Sequence, residues 1–190
     1  MDHGTSINSP LFCTQLTKHQ NKTLSDDTDP VLALQGIGWW TRKLISLATV
    51  TLHVKQYTTD GITHIDIDQT ATGGIKGTTE LRELTWIYKE HDDHIFGHLN
   101  GKSRWLNPAD IEDEWMKEGF LTGHEERGGP KKELFVESYV ENDENGWTGD
   151  QIWGFAIIED VRYYVRRVTI KKGDTTLKVR LVYNWYGPNP

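Results

Sequence analysis

The chain has 190 residues and a mass of 21.8 kDa, which is a length typical of one domain. Hydrophobic residues make up 36% and charged residues 26%, a balance that fits a globular core and excludes a disordered chain. The net charge of −7 argues against nucleic acid as a partner, because an acidic surface repels phosphate groups. Eight tryptophans are the unusual feature, and the single cysteine, Cys13, excludes an intramolecular disulfide.

Residues 1–29 are polar and predict an N-terminal arm in front of a single domain at residues 30–190. The arm has neither the basic start nor the apolar stretch of a secretory signal. No apolar run reaches the roughly 20 residues that a membrane span requires. The sequence therefore predicts a soluble, cytoplasmic protein without a membrane span.

A helical pair is expected where the arm ends. Asp29 is a plausible N-cap, and Pro30 suits the first helical position because its missing N–H costs nothing there. Gly36 and Gly38 then interrupt the helical pattern, and a second helix is expected over 39–47. This pattern predicts a helix-turn-helix.

Alternating apolar and polar residues predict strands through most of the remaining chain. Asp60-Gly61 and Asn100-Gly101 are typical of hairpin turns, and another turn is expected at 91–93. One extra helix is expected over 108–118. The expected strands cover 49–57, 62–70, 81–89, 94–99, 102–106, 134–140, 151–159, 161–171 and 175–186. About nine antiparallel strands in one domain predict a mainly-β up-and-down barrel, since closure removes sheet edges.

The run Gly-Ile-Gly-Trp-Trp-Thr-Arg-Lys at residues 36–43 resembles the helix-turn-helix signature of intracellular fatty-acid-binding proteins, a branch of the lipocalin-like calycin superfamily. The resemblance covers about residues 30–106, and the C-terminal half diverges. It implies a barrel with a helical lid and an internal cavity for one hydrophobic molecule. The family's Arg-x-Tyr pair for a ligand carboxylate is not reproduced, because alternation places Arg180 and Tyr183 on opposite faces.

His64, Asp66 and Asp68 share one face of their expected strand, and the isoleucines at 65 and 67 share the other. If the isoleucine face lines the interior, the acids are solvated and have no special role. The family pattern implies instead that the acidic face points inward. Burial would then raise the carboxylate pKa values and make one of these residues, the catalytic candidates, a general acid or base.

Candidate substrate-binding residues combine aromatic rings with arginine. Aromatic walls with a few polar groups are typical of small-molecule pockets, and arginine donates two parallel hydrogen bonds to an oxygen-rich group. Core packing of the aromatics and solvation of the arginines are the alternatives. The candidates are Trp39, Trp86, Tyr88, Trp153, Phe155, Arg162, Tyr164, Arg166, Tyr183 and Trp185.

Neither a metal site nor a cofactor is predicted, because His94 and His98 lie about 13 Å apart on a strand and no phosphate-binding glycine loop occurs. Three functions remain open. The first is a cofactor-independent isomerase or cyclase of natural-product biosynthesis, acting on a hydrophobic polycyclic or prenylated intermediate. The second is a passive carrier of a fatty acid or other hydrophobic ligand, and the third is an interaction module without a cavity. A monomer or homodimer is expected in each case.

Overall fold

Ten antiparallel strands form a nearly closed barrel in the computed structural model, which describes residues 14–72, 75–123 and 128–185. This confirms the mainly-β barrel that the sequence predicts. The strands are β1 (Thr14–Gln20), β2 (Val50–Thr59), β3 (Ile62–Ala71), β4 (Ile75–Glu83), β5 (Lys89–Asp93), β6 (Gly97–Leu106), β7 (Phe135–Asn142), β8 (Trp147–Ile158), β9 (Val161–Lys172) and β10 (Thr175–Trp185).

Each strand pairs with the next along the chain except at one place, and β1 pairs with β10 to join the two ends. The exception lies between β4 and β5, which are the two edges of the sheet. Residues 84–88 cross this opening, and the Trp86 amide donates to the Ser103 carbonyl over 2.8 Å. This backbone hydrogen bond ties the crossing segment to β6.

The helical pair is confirmed as α1 (Asp29–Leu34) and α2 (Trp39–Leu47), which together form the lid. Gly36 makes the turn between them with a φ of 89°, a conformation that glycine adopts without strain. Arg42 fixes the pair, because its side chain donates to Asp29 over 3.1 Å and to the Ile37 carbonyl over 2.8 Å. No helix within the described ranges is long and apolar enough to cross a membrane.

Part of the expected N-terminal arm is a barrel strand. Residues 14–20 form β1, whose register places Lys18 opposite Leu52 of β2 and Trp185 of β10. The prediction was wrong here because a polar composition does not exclude a strand. Hydrogen bonds to the strands on both sides satisfy the backbone of a polar segment as well as that of an apolar one. The earlier part of the arm, including Cys13, lies outside the described residues.

The strand expected at 81–89 is wrong in its position, since β4 ends at Glu83 and the chain crosses the barrel opening before β5 begins. Residues 91–93, expected as a turn, belong to β5, and Asn100-Gly101 lies within β6. These residues pair with neighbouring strands on one or both sides, and that pairing overrides the local turn preference.

The helix expected over 108–118 is divided into a 3-10 turn (Pro108–Asp110) and the one-turn helix α3 (Glu114–Lys117). The Asp110 carboxylate accepts a hydrogen bond from the Asn107 amide over 2.8 Å, and Asp113 accepts one from the Trp115 amide over 3.0 Å. Each aspartate therefore caps its own short turn, which explains why one continuous helix does not form.

The sheet carries an apolar core on each of its two faces. The inner core fills the base of the barrel with side chains from β2, β3, β7, β8 and β10. The outer core lies between β7–β10 and the segment 106–134, which packs Met116 and Phe120 against the barrel wall. Buried members of the inner core are Leu52, Val54, Ile65, Ile67, Val136, Trp153, Leu181 and Tyr183.

Asp150 is a partly buried carboxyl group on β8, on the face opposite to the inner core. Burial raises its pKa to about 6, and the nearby charge of Glu137 adds to the rise, while Arg104 and Lys171 oppose it. Because the folded-state pKa exceeds the ordinary value of 3.8, the folded protein binds this proton more tightly than the unfolded chain does. The contribution of Asp150 to stability is thus full at low pH and is lost as the pH rises toward 6.

We expect Asp150→Asn to be more stable than wild type at pH 7.5, by about 1–3 kcal/mol, because the buried charge is gone. The two proteins should differ little at pH 4. Urea unfolding at both pH values measures this, with Asp174→Asn in the exposed β9–β10 turn as the control. A stability difference that does not change between the two pH values would contradict the assignment.

Candidate active site

A cavity of about 1440 Å³ lies between the lid and the base of the barrel. The lid closes one end of it through α1, where Val31 packs against Val168, Ile170 and Val179. Apolar side chains from the lid and from both barrel walls make up much of its lining. Among them are Val31, Ile37, Val50, Val140, Trp147, Val168, Ile170, Val179 and Leu181.

A cluster of polar side chains, here called the polar floor, lies at the base of this cavity and comprises Gln69, Glu80, Arg82, Arg166 and Tyr183. The Glu80 carboxylate forms an ion pair with Arg82 and accepts a hydrogen bond from the Gln69 amide over 2.8 Å. Arg166 donates a hydrogen bond to the Tyr183 hydroxyl and lies close enough to Glu80 to stabilise its charge. Four strands, β3, β4, β9 and β10, thus bring these groups together.

The two arginines of the polar floor share one aromatic ring. The guanidinium of Arg166 lies 4.5 Å from the ring centroid of Trp153, and that of Arg82 lies 5.0 Å from it. Trp153 is only 2% exposed and belongs to the inner core. The negative ring face and the Glu80 carboxylate together offset the repulsion between two neighbouring cations.

Glu80 stays ionised in this setting. Burial alone would raise its pKa, but the charges of Arg82 and Arg166, with hydrogen bonds from Arg82 and Gln69, hold the pKa below its ordinary value. Burial raises the pKa of Tyr183, so its hydroxyl keeps its proton. At neutral pH the polar floor therefore presents hydrogen-bond donors and a net positive charge, and its carboxylate is fully engaged.

The expected catalytic residues lie on the other side of the sheet. Ile65 and Ile67 belong to the inner core, so alternation along β3 turns His64, Asp66 and Asp68 to the outer face. Asp68 is exposed and accepts a hydrogen bond from Thr79 over 2.8 Å. The inward orientation expected from the family pattern is wrong, because the isoleucines fill the interior.

His64 and Asp66 still border the cavity, although they lie on the outer face of β3. The His64 ring stacks on Tyr57, with ring centroids 4.9 Å apart. The His64 and Asp66 side chains are partly exposed there.

Four expected substrate-binding residues converge inside the barrel, namely Trp153, Tyr164, Arg166 and Tyr183. The Tyr164 ring lies 5.5 Å from that of Trp153 and 5.2 Å from that of Phe155. Burial raises the pKa of Tyr164, as it does for Tyr183. These rings pack against one another next to the polar floor.

Other expected substrate-binding residues lie away from the cavity. Trp86 and Tyr88 contact Lys102 on the outer face of β6, with its ammonium 4.5 Å and 4.2 Å from their ring centroids. Trp39 is half exposed on α2. The Arg162 guanidinium packs 3.8 Å from the ring centroid of Phe155, near the start of β9. The side chain of Trp185 lies outside the described residues.

Glu80, Arg82, Gln69 and Gln151 were missed by the sequence reasoning. The signal for the first two was present, since Thr78, Glu80 and Arg82 alternate along β4, but the strand was predicted to begin at residue 81. Arg180 and Tyr183 do lie on opposite faces, as predicted, and Arg180 donates outward to the Leu24 carbonyl over 3.2 Å. Arg166, on the neighbouring strand, supplies the arginine beside Tyr183 instead.

No family model matches the chain. Over 172 residues it is 31% identical to the probable pericyclase scpY of Mollisia scopiformis, an alignment that covers 88% of this chain and 87% of that protein. The chain belongs to this family of pericyclases. It is also 29% identical over 172 residues to the pericyclase pydY of an Acremonium species, covering 88% of this chain and 89% of that protein.

The fold is shared with fatty-acid-binding proteins, as the sequence resemblance implies. The chain matches fatty-acid-binding protein 1 of Echinococcus granulosus with a TM-score of 0.54 at 15% identity, covering 90% of this chain and 96% of that one. It matches lipid binding protein 8 of Caenorhabditis elegans with a TM-score of 0.53 at 14% identity, covering 88% and 93%. At such low identity the likeness shows the barrel and its lid.

We expect Glu80→Gln to lower the free energy of unfolding at pH 7 by about 2–4 kcal/mol, because it leaves two guanidinium groups inside the barrel without their shared carboxylate. The difference should shrink as the pH falls and Glu80 of the wild type becomes protonated. Denaturant unfolding provides the measurement.

Glu83→Gln is the matched control, since Glu83 lies on the same strand but on the outer face, where it pairs with the half-exposed Lys89. That substitution should cost clearly less than Glu80→Gln, because ion pairs at the surface contribute little to stability. Equal losses for the two variants would show that Glu80 is not the buried counter-charge of the polar floor.

Proposed function

We propose that the protein is a cofactor-independent pericyclase, an isomerase or cyclase of natural-product biosynthesis that acts on a hydrophobic polycyclic or prenylated intermediate in its cavity. The observation that carries this proposal is a cationic, donor-rich polar floor at the base of an otherwise largely apolar cavity. The family of the chain supports it, since both curated relatives are named pericyclases and align over most of their length.

The apolar walls would accelerate the reaction by holding a flexible substrate in one folded conformer. A cyclisation within one molecule requires its two reacting ends to meet, and fixing that geometry in advance removes much of the entropic barrier. The volume of about 1440 Å³ is large enough for a polycyclic product as well as a folded precursor. The shape of the walls would then select which stereoisomer forms.

The polar floor would lower the barrier by polarising the substrate. The Arg166 guanidinium and the Tyr183 hydroxyl face the cavity and can donate hydrogen bonds to a substrate carbonyl. Such donors draw electrons out of a conjugated alkene and stabilise the charge that develops on oxygen in the transition state. Electrons in a pericyclic step shift within the substrate, so no proton acceptor is required, and a fully paired Glu80 fits this chemistry.

A passive carrier of a fatty acid or other hydrophobic ligand is the second candidate. Two observations favour it. The first is the barrel shared with fatty-acid-binding proteins. The second is the contact between Arg166 and Tyr183 on neighbouring strands, which brings together the two residue types that hold the ligand carboxylate in that family. The cytoplasmic location and the monomeric or homodimeric state expected from the sequence stay predictions.

Open-chain polyenes that carry a conjugated diene and an α,β-unsaturated ketone or ester test the enzyme against the carrier. We expect the purified protein to convert at least one of them faster than buffer does, and to change the ratio of stereoisomers. Chiral chromatography of timed reactions measures both quantities. Saturable binding with conversion no faster than in buffer would support the carrier instead.

Filling the cavity tests whether conversion takes place inside it. Gly101 lines the cavity from β6, and a Cβ added there would lie 3.6 Å from its nearest neighbour, so the Cβ itself meets no clash. We expect Gly101→Ile to fold normally but to lower conversion at least about tenfold by displacing substrate. Thr176→Ile, an exposed change on β10 away from the cavity, is the control, and unchanged conversion by Gly101→Ile would place the reaction elsewhere.

A further inference from the structure

Helix α2 carries four of the nine large hydrophobic side chains that are exposed in the described part of the chain. Trp40, Leu44 and Leu47 are 76%, 69% and 81% exposed, and no residue of the helix is buried. Positions i, i+4 and i+7 fall on one side of a helix, so these three side chains form one row, here called the α2 stripe. A contiguous exposed apolar surface of this kind marks an interaction site.

The α2 stripe lies on the outside of the lid, at the edge of the cavity. The opposite side of the helix faces the rest of the protein, because Arg42 forms its ion pair with Asp29 there and Ile45 lines the cavity. Leu44 belongs to the stripe and also lines the cavity. Any partner that covers the stripe therefore lies next to the cavity.

The charge beside the stripe is positive, although the whole chain carries a net charge of −7. Residues 30–59 contain no aspartate or glutamate. Lys43 is exposed on α2 itself, and the Lys22 ammonium donates to the Ser46 carbonyl of the same helix over 2.5 Å. Two lysines thus flank an apolar row in an otherwise acidic protein.

This combination fits the surface of an anionic lipid bilayer. Apolar side chains of a helix lying in the interface enter the acyl region, indole rings favour the interface, and lysines lie among the head groups. Acidic lipids attract each nearby lysine, so charge and apolar surface act together. A second copy of the chain fits worse, because it would bring the same cations face to face without an acid on α2 to pair them.

We propose that α2 docks the protein on an anionic lipid bilayer, with Trp40, Leu44 and Leu47 in the lipid and Lys22 and Lys43 at the head groups. The contact is peripheral, since a helix of nine residues is too short to span a bilayer. It brings the edge of the cavity to the lipid and gives a hydrophobic molecule a path into the cavity that avoids water. The proposal goes beyond the proposed function and does not depend on the reaction.

Sedimentation of the protein with vesicles tests the docking. One set of vesicles contains phosphatidylcholine alone, and the other contains about one third phosphatidylserine. Wild-type protein should bind the anionic vesicles at least about tenfold more tightly than the neutral ones, because two lysines contribute. Raising the salt concentration should reduce this preference, since salt screens exposed charges.

Removal of the apolar row separates docking from simple charge attraction. The triple variant Trp40→Gln, Leu44→Gln and Leu47→Gln should bind anionic vesicles at least about tenfold more weakly, because its apolar side chains no longer enter the lipid. The control is Ile157→Gln combined with Val161→Gln, which changes two half-exposed apolar side chains beside the β8–β9 turn. That variant should bind like wild type.

The charge and the depth of insertion are measured separately. Lys22→Gln combined with Lys43→Gln should reduce the affinity for anionic vesicles to nearly that for phosphatidylcholine. Lipids brominated on their acyl chains quench the fluorescence of tryptophan that enters the lipid. Such anionic vesicles should quench the wild type more than they quench Trp40→Phe.

Failure of the wild type to bind either kind of vesicle, or an equal loss in the control variant, would overturn the proposal. A lipid-free dimer that the triple variant converts to a monomer would assign the stripe to a second copy instead. Binding to soluble polyglutamate as strong as to anionic vesicles, without quenching, would assign it to an acidic protein. Circular dichroism and thermal unfolding verify that each variant is folded. Because the vesicles contain no substrate, failure to convert any polyene would contradict only the proposed enzyme function.

Discussion

The arrangement of this barrel depends on how two arginines are kept inside it. Arg82 and Arg166 both lie over the ring of Trp153, and Glu80 is held ionised between their charges. Removing ions from water is expensive, so such a group survives only where opposite charge, an aromatic face and hydrogen bonds compensate for the loss. Four strands supply the compensating groups, with Glu80 and Arg82 on β4 and one side chain each from β3, β9 and β10. The resulting net positive charge faces the cavity.

The outer core packs on the other face of the strands that carry the polar floor. Alternation along β9 sends Arg166 inward and Arg167 outward, and Arg167 is 6% exposed beneath the segment 106–134. There its guanidinium lies 4.7 Å from the ring centroid of Trp115 and 3.6 Å from the carboxylate of Glu118. The strands that carry the polar floor are therefore packed on both faces, which holds the inward side chains in fixed positions, as catalysis by positioning requires.

The sequence was enough to predict the barrel and the lid, because alternation, glycine turns and the Gly-Ile-Gly run are local signals. It could not decide which face of β3 points inward, since Ile65 and Asp66 alternate equally well in either orientation. Contact between Ile67 and the far wall of the barrel decides that question, and this contact is long-range. Glu80 was missed for a different reason, because its strand was expected to begin at residue 81, although its ion-pair partner Arg82 lies two residues away on the same face. The second counter-charge, Arg166, is 86 residues away, and no local pattern connects it to Glu80.

The central claim is that the interior polar floor, and not the acidic row on the outside of β3, carries the reaction. The most direct test compares the conversion rate of one polyene by Arg166→Met and by Asp66→Asn combined with Asp68→Asn. The account predicts that Arg166→Met is slower by about tenfold or more. The double variant should stay within about twofold of wild type, as expected for side chains on the outer face of β3. Loss of conversion in the double variant with Arg166→Met unaffected would contradict it.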